Sequence, residues 1–505
     1  MSKCRIMLID INRISLDTSR DMLEYPIGLL YLASSLEKAF GNEVETRIVS
    51  YDHRRHGDSD VENWIREFRP DILGLRSLTM GKGILHQIAH VAKERLKVPL
   101  VIAGGPHATD SPFDVMENKS FDLASLGEGE KTVVEIVRAY MNNETFETIE
   151  GLAVRSDKGI RLTPPRPLIT DLDTLPPPDH SATDFEAINK GHVDFSFRYN
   201  VPHANLFTSR GCPYKCIYCH HVFGKKFRFH SAERVFEEVK SLYENHGIRS
   251  FQIVDDIFNL HRKRALDFFD RIVKSNMKVT FSFPNGVRGD IIDKEVVEAM
   301  WEGGVRYMAY AVESGSPRIQ TLIRKNLKLD RIKEAITMST AKGIVTRGFF
   351  MFGFPTETEE EVRMTIDFAT SSDLVTGMFF TVLYFPGTPL YELAHELTDM
   401  FSLDLRLEDD YVSVREGPYD FSRERLEELK REAIRKFFFS EKRLDFFFRL
   451  MPNFYSQRDS DAAMLVNIIS GEIKATDVED PVYGDRLHRY FIMAERFSEK
   501  SGFFV

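Results

Sequence analysis

Apolar and polar positions alternate in blocks along the first third of the chain. Residues 4–10 form a largely apolar run of the kind that is buried in a parallel sheet. Residues 28–36 have helical spacing, and Gly41 follows them as a helix breaker. The alternation continues through predicted strands at 44–49, 71–75, 100–103 and 123–126 and predicted helices at 61–68, 84–96 and 131–141. It predicts a doubly wound, Rossmann-like α/β domain over residues 1–145.

The rest of the chain divides into three further parts. Residues 146–200 are rich in proline and predict a semi-rigid linker. Strand and helix then repeat about six times, which predicts a partial (β/α)6 barrel over residues 201–395. The alternation stops after that, and we expect a helical C-terminal domain over residues 396–505. Its phenylalanine-rich stretch, 423–451, is expected to pack on the barrel mouth, or alternatively to roof an apolar or planar substrate.

Composition narrows the class of protein. The chain has 505 residues, of which 43% are hydrophobic and 29% charged, as in an ordinary globular protein. A net charge of −10 argues against nucleic acid as a partner. The start of the chain lacks the pattern of a signal peptide, and no run reaches the length of a membrane span. We therefore expect a cytoplasmic protein without stable membrane insertion, in which the lone Cys4 is a buried thiol.

Three of the four cysteines lie close together, at Cys212, Cys216 and Cys219. Three thiolates on one short loop fit three corners of an iron-sulfur cube and leave the fourth iron open. A zinc site is the alternative, and it would need His220 or His221 to fold back as the fourth ligand. Chance clustering is a third interpretation. The rarity of grouped cysteines in intracellular chains favours the cluster.

The spacing CxxxCxΦC, in which Φ is the aromatic Tyr218, resembles the signature of the radical S-adenosylmethionine (SAM) superfamily. The resemblance implies a 4Fe-4S cluster whose open iron binds SAM, and a 5′-deoxyadenosyl radical formed when one electron cleaves SAM. The stretch also follows an apolar run at 204–208. Parallel barrels present catalytic groups at the carboxyl ends of such strands.

Further strand ends of the predicted barrel carry groups that the superfamily uses to hold SAM. The resemblance implies that Asp256, rather than its neighbour Asp255, accepts from the SAM amino group, and that Glu313 with Ser314 holds the ribose. It implies a cationic role for Lys325 toward the SAM carboxylate and a backbone contact between Phe352 and adenine, and it places Tyr218 of the cysteine stretch among the SAM-binding residues. The alternatives are helix capping by the aspartates, an exposed helix end at Lys325 and ordinary core packing at Phe352.

Four turns follow the predicted strands of the N-terminal domain, where doubly wound sheets bind their ligands. They are Asp10-Ile11-Asn12, Ser77-Leu78-Thr79, Gly104-Gly105-Pro106-His107 and Gly127-Glu128-Gly129-Glu130. Singly, each glycine pair is typical of a tight turn. Together the turns resemble the cobalamin-binding domain that precedes many radical SAM barrels. The resemblance implies a set of cobalamin-binding residues: Asn12, Ser77, Thr79, Gly104, Gly105, His107, Gly127 and Glu128.

One position departs from the better-known cobalamin domains. Those domains carry a DxHxxG motif with a histidine bound to cobalt, whereas this chain has Asn12 at that place after Asp10. The later stretch 52–57 contains histidines but follows the second strand, and we interpret it as a solvated loop. The departure implies cobalamin bound without a protein histidine on cobalt, and it leaves open a domain that has lost cobalamin.

The resemblance covers residues 1 to about 395 and implies a cobalamin-dependent radical SAM enzyme. It implies a methyltransferase that moves a methyl group from methylcobalamin to an unactivated carbon of a small molecule through a 5′-deoxyadenosyl radical. The expected electron donor is a flavodoxin or ferredoxin. The alternatives are a radical cyclase, oxidoreductase or rearrangement enzyme without methyl transfer, and, from another class, a cobalamin or redox sensor without turnover.

Overall fold

The computed structural model describes residues 3–12, 25–53, 55–184, 188, 202–220, 222–385, 387–397, 418–438, 440 and 442–443. The chain forms two compact units. The first unit comprises Met1–His192, Asn205–Pro213 and His221–Arg234. The second unit comprises Val193–Ala204, Tyr214–His220 and Val235–Val505.

A seven-stranded sheet forms the framework of the first unit, with the strand order β2-β1-β3-β4-β5-β6-β7. The first five strands in the chain pair in parallel, and β6 and β7 add an antiparallel edge. Their bounds are β1 Cys4–Asn12, β2 Val44–Asp52, β3 Ile72–Ser77, β4 Leu100–Gly104, β5 Leu123–Ser125, β6 Leu152–Ser156 and β7 Gly159–Leu162. The order reverses at β1, as it does in a doubly wound sheet.

Helices connect these strands and cover the sheet. Their bounds are Ile27–Phe40, Asp58–Phe68, Lys82–His90, Gly105–Asp110, Pro112–Glu117 and Gly129–Asn142, with a π turn at Val91–Arg95 and 3-10 turns at Gly41–Glu43, Thr79–Gly81, Leu172–Thr174 and His180–Ala182. The predicted doubly wound fold is confirmed. Side chains of the central strands, such as Ile9, Leu75 and Val101, are buried in one core, which explains their near-continuous apolar runs.

Two features of the first unit were not predicted. The helices Gly105–Asp110 and Pro112–Glu117 have only six residues each, which is too short to show a helical period in the sequence. Strands β6 and β7 lie within the stretch that we predicted as a linker. Their backbones complete the sheet through antiparallel pairs, in which the apolar residues of β6 are buried against β5.

A six-stranded sheet forms the framework of the second unit, in the order β15-β14-β13-β12-β11-β8. The bounds are β8 His203–Leu206, β11 Ser250–Ile253, β12 Thr280–Val287, β13 Val305–Glu313, β14 Val345–Phe352 and β15 Thr376–Thr381. The strands from β11 to β15 pair in parallel. Two short strands of the first unit, β9 Ser209–Arg210 and β10 Arg228–Phe229, form a separate antiparallel pair, which we call the ribbon. The predicted partial barrel is confirmed.

Helices follow the strands of this sheet. Their bounds are Ala232–Asn245, Arg262–Ser275, Lys294–Glu302, Pro317–Leu322, Leu329–Lys342, Glu359–Ser371, Pro389–Leu397 and Arg423–Phe438, with a 3-10 turn at Gly289–Ile291. In the part of the chain that the structure describes, no helix combines the length and the apolar character that crossing a membrane would need.

The helix Arg423–Phe438 lies within the phenylalanine-rich stretch 423–451, which we expected to pack on the barrel mouth. Phe437 is fully buried, and its ring meets that of Phe379 on β15 at 5.7 Å between centroids. Arg443 is also buried and donates to the carbonyl oxygen of Ala369 at 2.7 Å. This part therefore packs on the second unit, against β15 and the helix Glu359–Ser371, and its position on the barrel mouth stays a prediction. The phenylalanines at 439 and 446–448, and the residues after 443, lie outside the described residues, so the roof over a substrate stays a prediction.

Phenylalanine rings fill the core between β11, β12 and the helix Arg262–Ser275. Phe281 is 1% exposed, and its ring contacts those of Phe251, Phe268 and Phe269 at centroid distances of 5.5, 5.5 and 5.8 Å. Rings at these separations add a stacking or edge-to-face interaction to the burial of their area.

We predict that Phe281→Ala lowers the free energy of unfolding by about 3–5 kcal/mol, because it leaves a cavity that these rings cannot fill. The measurement is the urea midpoint followed by tryptophan fluorescence and circular dichroism. Phe113→Ala is the matched control, since the Phe113 side chain is 52% exposed and should change the midpoint little. Equal shifts in the two variants would contradict the assignment of this core.

Candidate active site

The cysteine stretch lies on a loop that is tied down by backbone hydrogen bonds. The Cys212 amide donates to the Gly224 carbonyl oxygen at 3.3 Å. The Ile217 amide donates to the Ile323 carbonyl oxygen at 3.1 Å, and the Cys219 amide donates to the Cys216 carbonyl oxygen at 3.4 Å. None of these three cysteines forms a disulfide with another described residue. Their sulfur atoms can therefore serve as ligands, as the sequence predicts.

The thiol groups of Cys216 and Cys219 are hydrogen-bonded to each other. This bond and, to a smaller extent, the nearby Lys325 ammonium lower the pKa of Cys216 to about 6, against the opposing effect of burial. The pKa of Cys219 is raised by the same bond, because the pair shares one proton. A thiolate is the form that binds iron, so the donor set fits a protein-ligated cluster.

A buried carboxylate with two polar partners stands beside this loop at the carboxyl end of β13. The Glu313 Oε1 atom accepts from the Lys325 Nζ at 2.8 Å and from the Tyr218 hydroxyl at 3.1 Å. Lys325 also donates to the Tyr218 hydroxyl oxygen at 2.9 Å. Three residues that the sequence predicts for SAM binding are therefore brought together.

The backbone at Glu313 explains how its side chain reaches this place. The register between β13 and β14 shifts between Ala311 and Glu313, and Glu313 has a φ of 68°. A bulge re-aims a side chain, and a left-handed φ at a residue other than glycine stores strain that often marks a functional position. The sequence carries no signal for either feature.

The other residues predicted for SAM contribute differently. Ser314 is fully buried, and its Oγ accepts from the Ser316 amide at 3.1 Å, so its side chain shapes the turn. The Phe352 side chain is core, while its carbonyl oxygen accepts from the Val382 amide at 2.9 Å. β11 ends at Ile253, before both aspartates, so strand alternation does not decide between them. Asp256 is exposed and Asp255 is buried.

We predict that Glu313→Gln weakens SAM binding by about 10-fold or more, because the change removes the charged acceptor and leaves the Lys325 ammonium without its partner. Equilibrium dialysis of SAM against iron-reconstituted protein measures the effect. Glu298→Gln, on the surface of the same unit, is the matched control and should bind SAM as the unchanged protein does. Equal affinities in both variants would remove Glu313 from the SAM site.

Glu357 shapes the end of β14 and was not singled out from the sequence. Its Oε2 atom accepts from the Gly353 and Phe354 amides at 2.6 and 3.1 Å. Its Oε1 atom is buried and has no hydrogen-bond partner among the described residues. Burial raises the pKa of Glu357 to about 8, although the two amide bonds oppose that shift. The carboxyl group is therefore largely protonated at neutral pH, and it fixes the strand end next to Phe352.

The raised pKa of Glu357 makes the free energy of unfolding depend on pH. The unfolded state ionises Glu357 near pH 4.5, whereas the folded state keeps the proton until about pH 8. Stability from this group is thus lost as pH rises through that window, by up to about 1.4 kcal/mol per pH unit. We predict that Glu357→Gln, compared with the unchanged protein, gains relative stability between pH 5.5 and 8.5 in urea titrations. A difference that stays constant with pH would contradict the buried, protonated carboxyl group.

The carboxyl edge of the first sheet carries the predicted cobalamin-binding turns. Gly104 and Gly127 face open space, since a Cβ atom added to either meets nothing within 4 Å in the described part of the chain. Gly105 has a φ of 82°, and an added Cβ would lie 2.6 Å from the Arg76 side chain. The Ser77 hydroxyl is buried and donates to the Leu78 carbonyl oxygen at 2.7 Å, and Thr79 opens a 3-10 turn. The backbone turns thus leave room for a ligand, while Ser77 is used within its own turn.

Asn12 ends β1 beside Asp52 of β2, which places the predicted position at this edge of the sheet. Two residues earlier, Asp10 is buried and its carboxylate pairs with the Arg76 guanidinium at 2.8 Å. Arg76 in turn leads into the Ser77 turn. The edge is therefore held by an ion pair between neighbouring strands.

His107, which the resemblance places among the cobalamin-binding residues, has a buried side chain. Its ring is 1% exposed, and neither ring nitrogen has a hydrogen-bond partner within the described ranges. Ligand atoms of His86, His107 and Asp114 all lie within 4.8 Å of one another, a grouping that could hold a metal ion. The Lys82 ammonium lies 3.7 Å from Asp114 and competes with any cation there, so we assign no metal to this group. The His107 side chain is packed among helices of its own unit.

The Glu128 carboxylate accepts hydrogen bonds from three other residues. Its Oε1 atom accepts from Arg210 at 3.0 Å and from Arg228 at 2.7 Å, and its Oε2 atom accepts from the Ile169 amide at 2.7 Å. These contacts leave the backbone of the Gly127 turn, rather than the carboxylate, to face a ligand. No local pattern could identify these arginines as its partners, because they lie more than 80 positions away.

Comparison with known families agrees with this arrangement. The model of the radical SAM superfamily matches residues 206–369. The model of the B12 binding domain matches residues 16–137. The two matches fall on the parts of the chain that carry the cysteine stretch and the glycine turns.

Curated relatives cover most of the chain. An uncharacterized methyltransferase of Pyrococcus horikoshii is 32% identical over 83% of this chain and 88% of its own length. The cytidylyl-2-hydroxyethylphosphonate methyltransferase of Streptomyces wedmorensis is 28% identical over 72% of this chain and 77% of its own. The anaerobic magnesium-protoporphyrin IX monomethyl ester cyclase of Cereibacter sphaeroides is 26% identical over 74% of this chain and 61% of its own.

A solved structure shares the fold. The radical SAM methyltransferase TsrM of Kitasatospora setae, with cobalamin and a [4Fe-4S] cluster bound, has a TM-score of 0.64 and 19% identity over 81% of this chain and 79% of its own. At this identity the likeness concerns the fold alone.

Proposed function

The chain belongs to the cobalamin-dependent radical SAM methyltransferase family, and on that premise we propose that it transfers a methyl group to an unactivated carbon of a small-molecule biosynthetic intermediate. The observation that carries the proposal is the pairing of two features in one chain. One is a cysteine loop beside the Tyr218, Glu313 and Lys325 cluster. The other is a doubly wound sheet with open glycine turns at its carboxyl edge.

The cofactors of this family are a 4Fe-4S cluster, SAM and cobalamin. When bound, they supply the radical and the methyl group, and the protein supplies orientation and electrostatics. We propose that Cys212, Cys216 and Cys219 hold the cluster. In the second unit, the buried Glu313 carboxylate suits two ribose hydroxyls, since a carboxylate can accept from both.

The remaining SAM contacts in this proposal come from single groups. The exposed Asp256 carboxylate is the acceptor for an ammonium group. The ammonium of Lys325, which pairs with Glu313 in this structure, is the proposed partner of the SAM carboxylate. The backbone near Phe352, whose geometry Glu357 fixes, remains the proposed contact for adenine.

For cobalamin we propose the backbone turns around Gly104, Gly105 and Gly127, together with Ser77 and Thr79. Open space at Gly104 and Gly127 supports this, because a large flat ligand must approach the backbone closely. Asn12 in place of histidine supports a cobalt without a protein ligand at that position. We further propose that a flavodoxin or ferredoxin is the electron donor and that the protein works in the cytoplasm. We propose no role for nucleic acid.

The test uses anaerobically reconstituted protein with hydroxocobalamin, SAM labelled in its methyl group and a strong reductant. We expect 5′-deoxyadenosine, and label in the bound cobalamin fraction. The same label should then appear in the carbon skeleton of an accepted substrate. Cys216→Ala is the control, and it should lose both signals together with its iron. Deoxyadenosine without any transfer of label would contradict methyl transfer.

Radical cyclisation is the second candidate, and the similarity to the anaerobic cyclase favours it. The same reaction mixture separates the two by product mass, since methylation adds a methyl group whereas cyclisation removes hydrogens. A cofactor sensor without turnover would give no 5′-deoxyadenosine at all.

The groups that hold the cofactors do not by themselves decide between these reactions. Methyltransferases and a cyclase each match this chain over most of its length. The fate of a substrate radical depends on the substrate and its surroundings, whereas the Glu313 cluster concerns the binding of SAM, which both reactions need.

A further inference from the structure

Two arginines of the ribbon face each other in the first unit. Arg210 and Arg228 are directly paired across the antiparallel strands β9 and β10. Their side chains are 3% and 1% exposed. Like charges in opposite positions of a strand pair repel each other, and burial removes the water that would screen them. The ribbon can therefore form only where negative charge is supplied.

The Gly127–Glu130 turn supplies that charge. Glu128 accepts from both arginines, and Glu130 accepts from the Arg210 Nη2 atom at 2.5 Å. Both carboxylates are about as deeply buried as their partners. We call Arg210, Arg228, Glu128 and Glu130 the charge clamp. Its two cations and two anions balance. Burying the arginines without the carboxylates, or the carboxylates without the arginines, would leave uncompensated charge away from water.

The ribbon also fixes the start of the cysteine loop. Gly211, between Arg210 and Cys212, has a φ of 80°, and a Cβ added there would lie 2.5 Å from the Lys226 carbonyl oxygen. Arg210 further packs against the rings of Tyr31, Phe207 and Phe223 at 5.4 to 5.6 Å. The position of Cys212 thus depends on that of Arg210.

Stability alone is a poor reason for such a clamp. Buried ion pairs can often be replaced by apolar side chains without loss of stability, whereas they fix one arrangement of the chain. Arg228 also fixes two further parts of the chain, because it donates to the Ile169 carbonyl oxygen at 2.6 Å and to the Phe223 carbonyl oxygen at 2.9 Å. The charge clamp therefore fixes the positions of the ribbon, of the segment at Ile169 and of the segment at Phe223.

We infer that the charge clamp is a positioning device that couples the cobalamin-binding turn to the cluster-binding loop, so that filling either site orders the other. This rests on the proposed function for the identity of the ligands that fill the two sites. Coupling between sites is reciprocal and is commonly worth about 5- to 150-fold in affinity. The four clamp residues are positioning residues, since none of them is assigned a contact with substrate.

Arg210→Lys is the variant that tests this inference. It keeps the positive charge, so no carboxylate is left buried without a cation, but an ammonium cannot span Glu128 and Glu130 as the guanidinium fork does. Glu130→Gln removes one of the negative charges that Arg210 pairs with, and it is the test variant if Arg210→Lys does not fold. Arg166→Lys is the matched control, because Arg166 pairs with Glu135 in the same unit at 3.0 Å rather than with a carboxylate of the clamp.

Two measurements are made on each full-length protein. Hydrogen exchange of the amides at 127–130 is followed before and after iron-sulfur reconstitution, with no cobalamin added. Hydroxocobalamin dissociation constants are then measured with and without the cluster. We expect slower exchange and at least about 5-fold tighter cobalamin binding on cluster loading in the unchanged protein and in Arg166→Lys. Both effects should be lost in Arg210→Lys.

The outcomes separate this inference from the proposed function. Exchange at 127–130 that does not respond to the cluster would overturn the coupling, whether or not the protein binds cobalamin. So would a full response in Arg210→Lys, or an equal loss in Arg166→Lys. A response in exchange without any cobalamin binding would support the coupling and contradict the proposed function instead.

Discussion

Burial of opposite charges at the ends of strands is the constraint on which both candidate sites depend. In the first unit, two arginines that face each other across the ribbon require the carboxylates of Glu128 and Glu130. In the second unit, the bulge at Glu313 turns a carboxylate inward, where Lys325 neutralises it. Isolated, each of these charges would be expensive to remove from water. Paired, they hold a particular backbone geometry within each unit.

Patterns of local spacing allowed much of the architecture to be predicted. The apolar runs that form β1, β3 and β4 are largely buried, and such strands can be recognised because nearly every position is apolar. The three cysteines could likewise be recognised, because their ligand spacing lies within eight positions of the chain. Six-residue helices and the β6–β7 hairpin were missed, since their order depends on the sheet that they join.

Contacts between distant residues could not be predicted in the same way. Glu128 was expected at a cobalamin site, but its carboxylate meets arginines of the ribbon. His107 was expected there as well, but its ring is buried near His86 and Asp114. In both cases the motif follows a strand at the carboxyl edge of the sheet, although His107 lies in the helix Gly105–Asp110 and not in a turn. The direction of the side chain depends on packing, which the motif does not encode.

The most direct test of the proposed function is the cofactor content of anaerobically reconstituted protein, measured as iron, sulfide and cobalamin per chain after gel filtration. We expect about four iron atoms, about four sulfides and about one cobalamin in each chain. A chain that retains the iron-sulfur cluster and cleaves SAM but binds no cobalamin would contradict it. The first unit would then hold Cys212 without being a cobalamin-binding domain.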